Sequence, residues 1–243
     1  MTFELLPIID KMLELYQKSR NFDRFQDYLN LLQGETKGDL AIPISGFNPM
    51  AKEHVLDKLM ELKDLCAEQI IAETILELNK TIIKEGSSDI FKISLTLADD
   101  LKGAWTNRFT TDYDSKFKLN ALINRRFCTP VFWTSEHYDL ILIRERILEY
   151  VYRTVYWLLK PKPKTLKEHV EQEVFVAKHI DYQSKIEPFD VAFLNNFYKK
   201  YSKTDDYSII FNFFYGDRAS EQLGFKSYEI GEEMAGFNYV RNI

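Results

Sequence analysis

The sequence predicts an α+β fold that is predominantly α: a helical domain with a small sheet of two to four strands. Apolar residues recur at three- and four-residue steps along most of the chain, and only residues 90–98 alternate cleanly with a period of two. No linker, repeat or low-complexity run divides the 243 residues, of which 45% are hydrophobic. We therefore expect one domain over residues 1–243, helical at 1–86, with a strand and a polar, aromatic segment at 87–135 and helices again at 136–243.

The N-terminal part is predicted to begin with two helices. Residues 2–18 carry apolar side chains at near-helical spacing, and Pro7 is tolerable because it falls within the first turn. A second helix is predicted at 22–32, with Gly34 as its stop. Residues 34–47 place glycines and a proline around a few apolar residues, which predicts a long loop or one short strand.

A long helix is predicted next. Asn48 and Pro49 form a helix start, because asparagine caps the first free N–H groups and proline has no N–H to leave unpaired. No helix breaker follows before Glu85, and Gly86 ends the segment. The apolar positions drift near Leu65, which indicates a bend or a break.

Two segments are predicted to be strands. Residues 90–98 show the two-residue repeat of a half-buried strand, with apolar side chains alternating with Lys92, Ser94 and Thr96. Residues 127–133 are rich in residues that favour strands, and Pro130 places them at a sheet edge because proline cannot donate to a neighbour.

The C-terminal part is predicted to be helical. Residues 136–159 have one apolar face and are capped by Ser135, and Thr165 with Glu168 makes a capping box for a helix through about Ile180.

Further along, Pro188 opens a helix that runs to Tyr201. Residues 207–215 are apolar at both the two-residue spacing of a strand and the three- to four-residue spacing of a helix, so the choice between strand and helix stays open. Four glycines break the remaining residues into short helices.

Charge and cysteine content exclude several classes of protein. The net charge of -5 argues against a chain that coats nucleic acid or an anionic membrane, although residues 100–165 are net basic. Cys66 and Cys128 match no zinc or redox spacing and are interpreted as reduced, buried thiols. The N-terminus lacks a basic stretch, and no window approaches the roughly 18 apolar residues that span a bilayer. We expect a soluble, cytoplasmic protein without a membrane partner, and nucleic acid is disfavoured.

The common catalytic signatures are missing from the sequence. It contains no HExxH, GxSxG, Walker or GxGxxG motif. His169 and Glu173 share a helical face at metal-binding spacing, but His179 is rotated away and the third ligand is missing. We therefore predict no metal and no cofactor, and whether the protein is an enzyme stays open.

The segment at 99–136 concentrates arginines, tryptophans and hydrogen-bonding side chains. Exposed tryptophans need a cover, which a ligand or the protein itself supplies. Arg108, Arg125 and Arg126 suit a carboxylate or phosphate, because guanidinium groups offer paired donors. The leading hypothesis is a binding domain whose cationic polar pocket accepts a small anionic ligand. Its predicted ligand-binding residues are Trp105, Asn107, Arg108, Thr111, Asp112, Arg126, Trp133 and Glu136.

Three alternatives remain beside this hypothesis. Residues of these types also satisfy their own backbone and pair with neighbouring acids, which gives them a purely structural role. An interaction or oligomerisation module, compatible with a homo-oligomer, would use residues 207–215 or the aromatic helix at 136–159. An enzyme would use an acid beside the arginines, chosen from Asp99, Asp100, Asp112 and Glu136.

Overall fold

The structure, a computed structural model, describes residues 1–34, 36, 38–43, 47–82, 89–101, 107–183 and 190–243. These residues form an α+β fold that is mostly helical, as the sequence predicts. They divide into two compact units, Met1–Tyr150 and Val151–Ile243. The expectation of a single domain stays a prediction. In the described part of the chain, no helix combines the length and the apolarity needed to cross a membrane.

The strands lie in the first unit and are all short. They are β1 (Thr2–Leu5), β2 (Ile90–Ile93), β3 (Thr96–Ala98), β4 (Phe127–Cys128) and β5 (Val131–Trp133). One sheet has the order β1, β2, β4, and a second consists of β3 and β5. Every pairing between them is parallel.

Two neighbouring extended segments run through both sheets, and together we call them the strand pair. One segment contains β2 and β3, and the other contains β4 and β5. Hydrogen bonds continue where β2 gives way to β3. There the N–H groups of Ser94 and Thr96 donate to the carbonyls of Cys128 and Pro130, at 3.1 Å and 3.0 Å. The return bond to Ser94 is missing because Pro130 has no N–H. The proline thus divides the two predicted strands into four short ones. The predicted place of residues 127–133 at a sheet edge is confirmed, since β4 and β5, which flank the proline, are each the last strand of their sheet among the described residues.

Helices make the crossovers that parallel strands require. Between β3 and β4 lie α5 (Arg108–Phe117) and α6 (Asn120–Asn124). Between β1 and β2 the chain forms α1 (Ile9–Gln17), α2 (Phe22–Leu32), α3 (Glu53–Asp64) and α4 (Ala67–Ile82). The helix predicted at 22–32 is therefore confirmed, and the described part of the predicted loop at 34–47 contains one isolated antiparallel bridge, between Gln33 and Leu40.

The predicted helix at 2–18 is wrong for its first residues, which form β1. These residues pair in register with β2. On the other side, the side chain of Asn79 accepts the N–H of Phe3 at 2.9 Å and donates to the Phe3 carbonyl at 2.8 Å. Phe3 and Leu5 fit the strand period as well as the helical one, so the pairing partners, which are distant in sequence, decide the conformation.

The predicted long helix is two helices, α3 and α4, with the break near Leu65 that the drift indicates. Cys66 has φ 55°, a left-handed conformation that ends α3, and it is exposed, whereas Cys128 is buried as predicted. The predicted start is also wrong, because Asn48 accepts the N–H of Met50 at 2.9 Å within a turn and α3 begins at Glu53. The predicted end at Glu85 lies outside the described residues.

The remaining helices are α7 (Leu140–Leu159), which carries residues of both units, and α8 (Leu166–Lys178), α9 (Val191–Tyr201), α10 (Tyr207–Gln222) and α11 (Ala235–Arg241) in the second. The Thr165–Glu168 capping box is confirmed at the start of α8. Residues 207–215 are helical within α10.

Aspartate side chains accept backbone N–H groups at the starts of α7 and α9. Ser135 does not cap α7, because the helix begins later and Asp139 accepts the N–H of Leu142 at 2.8 Å. Pro188 lies outside the described residues, and the N-cap of α9 is Asp190, which accepts the N–H of Phe193 at 2.9 Å.

Candidate functional site

The carboxyl ends of β3 and β5 meet at one edge of the strand pair. Asp99 and Asp100 follow β3, and Thr134, Ser135 and Glu136 follow β5. The Thr134 hydroxyl lies 2.9 Å from Oδ1 of Asp99 and 3.1 Å from Oδ1 of Asp100. Open α/β sheets bind ligands outside the carboxyl ends of parallel strands. The two ends of the predicted 99–136 segment therefore come together at an edge suited to function.

Arg108, the first residue of α5, links these two strand ends. Its Nη1 donates to Oδ2 of Asp100 at 2.6 Å and to the Ser135 hydroxyl at 2.8 Å. Its Nη2 donates to Oε1 of Glu136 at 2.6 Å. The guanidinium carbon lies 5.3 Å from the centroid of the buried Trp133 ring. The positive charge predicted for a ligand is thus paired with the protein's own carboxylates.

The carboxylate of Glu136 is shared with a second arginine. Nη1 of Arg146 donates to Glu136 Oε2 at 2.6 Å and to the Val131 carbonyl at 2.9 Å. The Tyr138 hydroxyl donates to the same Oε2 at 2.6 Å. Burial disfavours the ionised form of Glu136, but Arg146, Tyr138 and Arg108 outweigh it and lower the pKa of this carboxyl. Glu136 is therefore ionised at neutral pH.

Asp100 is a second buried carboxyl group whose pKa is lowered by its partners. Burial opposes its ionisation, but hydrogen bonds from Ser135 and Arg108 outweigh burial, so the pKa of Asp100 lies below its usual range. Its side chain is only 3% exposed. We name Asp100, Arg108, Ser135, Glu136 and Arg146 together the ionic network.

His54, from α3, reaches the same edge. Its Nε2 lies 2.9 Å from Oδ1 of Asp99, an oxygen that also accepts the N–H of Leu101 at 3.1 Å. The His54 side chain is 31% exposed and that of Asp99 11%. A histidine oriented by a carboxylate in this way is suited to proton transfer.

Other predicted site residues have separate places. Arg126 directly precedes β4, at the amino end of the strand pair, and binds Asp89 at 2.9 Å. It therefore lies at the opposite end of the strand pair from Arg108. Trp105 lies outside the described residues.

Asn107 and Asp112 serve α5 itself. Asn107 is the N-cap of this helix, where its Oδ1 accepts the N–H of Thr110 at 3.0 Å. Asp112 is buried and binds Lys116, one turn further along, at 2.6 Å. Both residues therefore stabilise α5.

Thr111 lines a pocket of about 320 Å³ within the first unit. This volume lies in the range of roughly 300 to 1,000 Å³ that is typical of small-molecule sites. One face of the strand pair forms the floor, because alternate side chains of paired strands share a face. The floor residues are Thr96, Ala98, Phe127, Thr129 and Val131. The wall includes Thr111 and Ser115 of α5, Ala121 and Leu122 of α6, and Arg125, which directly follows α6.

Two polar groups of this pocket have no partner among the described residues. Thr96 is fully buried, and its Oγ1 has no hydrogen-bond partner there. Arg125 is exposed and forms no ion pair with a described residue. Asp114, which also lines the pocket, is instead bound by Lys118 at 2.7 Å. The pocket is therefore apolar, with a hydroxyl in its floor and a cation at its margin that both lack a partner within the described ranges.

Sequence reasoning missed His54, Thr96 and Arg146. The two-residue repeat puts Thr96 on the polar face of its strand, which is expected to meet solvent, but α5 and α6 cover that face. His54 and Arg146 come from α3 and α7, and no local spacing connects them with the 99–136 segment. Only the alternation of the strand would have pointed to Thr96.

Among the described residues, no three potential metal ligands converge. Glu173, paired with His169 in the sequence, is held instead by Arg153 through bonds of 2.8 Å and 2.5 Å. Comparison of the chain with protein-family models, curated proteins and solved structures finds no match. Function is therefore inferred from the geometry of the first unit.

Proposed function

We propose that this protein binds a small molecule carrying one anionic group in the pocket between the strand pair and α5–α6. The observation that supports it is an apolar floor beside Arg125, a cation with no ion-pair partner among the described residues. Ligand sites are mostly apolar concavities with a few convergent polar groups. A guanidinium group binds a carboxylate with two parallel hydrogen bonds, so a carboxylate suits this margin.

The pocket also limits the body of the ligand. A volume of about 320 Å³ is equivalent to roughly ten water molecules. Inorganic phosphate would make no contact with the apolar floor. It would also lose water molecules that the apolar pocket cannot replace with hydrogen bonds. A compact apolar carboxylate satisfies both the floor and Arg125.

This proposal keeps the ligand class inferred from the sequence and changes the cation that binds it. Arg108 is neutralised in the ionic network, and Arg126 binds Asp89. Arg125 takes their place, and Thr111 remains at the site.

The test is calorimetric titration of the whole chain with phenylpropanoate, a compact apolar carboxylate, and with inorganic phosphate. We expect phenylpropanoate to bind and phosphate to bind far more weakly. Arg125→Ala should weaken phenylpropanoate binding by about tenfold, because a hydrogen-bonded charge is lost. Arg126→Ala is the matched control and should leave the affinity unchanged.

Two outcomes would contradict the proposal. One is a wild-type chain that fails to bind phenylpropanoate at millimolar concentration. The other is equal loss of affinity in the two arginine variants, which would indicate a general effect of surface charge.

The acid–base alternative has one observation in its favour, the 2.9 Å contact between His54 and Asp99 at the carboxyl edge of the strands. We propose a second function of this kind, hydrolysis of a small ester, in which His54 replaces the predicted carboxylate as general base and takes a proton from the attacking water. A small ester such as phenyl acetate should be hydrolysed to acetate and phenol by the wild-type chain and not by His54→Gln. Equal rates in the two chains, or no hydrolysis by either, would rule it out. The interaction-module hypothesis stays a prediction.

A further inference from the structure

Thr96 breaks a general rule of protein interiors. Its residue has no exposed surface, yet its Oγ1 has no hydrogen-bond partner among the described residues. Buried hydroxyls are nearly always paired, because leaving one unpaired costs about 1–3 kcal/mol. The Ser94 hydroxyl, on the same face of the strand pair, likewise has no partner in the described part of the chain, but Ser94 does not line the pocket.

We infer that Thr96 selects ligands whose apolar body carries one hydroxyl or carbonyl group, which it pairs inside the pocket. The inference rests on the proposed function and deepens it, since it names the ligand class of the same site. A site built to hydrogen-bond a ligand group discriminates strongly against the analogue that lacks it, because the protein group is then left unpaired.

The strand geometry also indicates where this group lies on the ligand. Thr96 is level with Val131, whereas Arg125 precedes Phe127 by two residues. The four steps from Phe127 to Val131 correspond to about 13 Å of strand. The polar group therefore lies at the end of the ligand far from its carboxylate. Para-hydroxylated phenylpropanoate has this arrangement.

The experiment compares the affinities of phenylpropanoate and its para-hydroxylated analogue by calorimetry, using the whole chain. We expect the wild type to prefer the hydroxylated compound by about tenfold, the value of one well-made hydrogen bond to a neutral group. Thr96→Val keeps the side-chain shape and removes the hydroxyl, so the preference for the hydroxylated compound over phenylpropanoate should vanish. Thr96→Ser, which retains a hydroxyl, should keep the preference and covers the case in which the valine variant fails to fold.

Ser94→Ala is the matched control, because it removes, from outside the pocket, a second hydroxyl that lacks a partner in the part of the chain that the structure describes. It should leave the preference unchanged. Equal wild-type affinities for the two compounds, or a preference that survives in Thr96→Val, would overturn the inference and leave the proposed function standing. If neither compound binds the wild type, both fail.

Discussion

A 2.6 Å hydrogen bond from Arg108 to Glu136 joins the first turn of α5 to the segment that follows β5. Arg146 of α7 holds the other oxygen of the same carboxylate. The bonds therefore tie α5, α7 and the strand ends together at one edge. Because α5 also forms a wall of the pocket, we expect the ionic network to hold that wall in place.

Glu136→Gln should lower the free energy of unfolding by about 3 kcal/mol, because it leaves two guanidinium groups without their carboxylate in a largely buried place. The side chain of Glu136 is 19% exposed. Urea denaturation followed by circular dichroism measures the change. The control is Glu77→Gln, which breaks a pair with Arg144 whose side chains are 59% and 54% exposed. The control should cost less than about 1 kcal/mol, and an equal cost in both variants would contradict a structural role for the network.

Acid should weaken the fold through Asp100. Its pKa is lower in the folded protein than its usual value, since Ser135 and Arg108 outweigh the effect of burial. The unfolded chain therefore binds a proton first as the pH falls, and the stabilisation is lost from about pH 4 downward. As the pH is lowered from 5, the free energy of unfolding should therefore decline less in Asp100→Asn than in the wild type. Urea titrations at several pH values measure it, and identical declines would argue against this prediction.

Asn107 should behave as a helix cap and not as a ligand-binding residue. Its Oδ1 accepts the N–H of Thr110 at 3.0 Å. Asn107→Ala should cost about 1 kcal/mol of stability, whereas Asn107→Asp, which caps as well, should cost little. Thermal unfolding of the two variants tests this, with phenylpropanoate affinity as a second readout. A large loss of affinity at unchanged stability would return Asn107 to the binding site.

Gly216 should tolerate no side chain. It interrupts α10 with φ 77° and ψ 176°, a conformation that is essentially restricted to glycine. A Cβ atom there would lie 2.4 Å from the carbonyl oxygen of Glu232. Gly216→Ala should therefore destabilise the second unit by about 3 kcal/mol or more. Gly231→Ala is the control, because its Cβ would meet no atom of a described residue within 4 Å. Similar melting temperatures for the two variants would show the prediction to be wrong.

Local patterns predicted several elements closely. The helix at 22–32 and the capping box of Thr165 and Glu168 both appear in the structure, because helical period and capping depend on residues within a few positions of one another. Strands at 90–98 and 127–133 also follow from the sequence, although their parallel pairing does not, and Pro130 explains why each is divided in two. Residues 2–5 were assigned wrongly, because their strand conformation depends on pairing with residues about ninety positions away.

The amino-acid sequence alone determined that the chain is mostly helical with a few strands, and that the chemistry-bearing residues concentrate at 99–136. The tertiary structure decided which arginine has no ion-pair partner among the described residues and which hydroxyl is buried. Arg108, Arg125 and Arg126 are alike in sequence, yet Arg108 binds Asp100 and Glu136 and Arg126 binds Asp89. The physical reason is that pairing and burial depend on contacts between residues far apart in the chain, which no local spacing records.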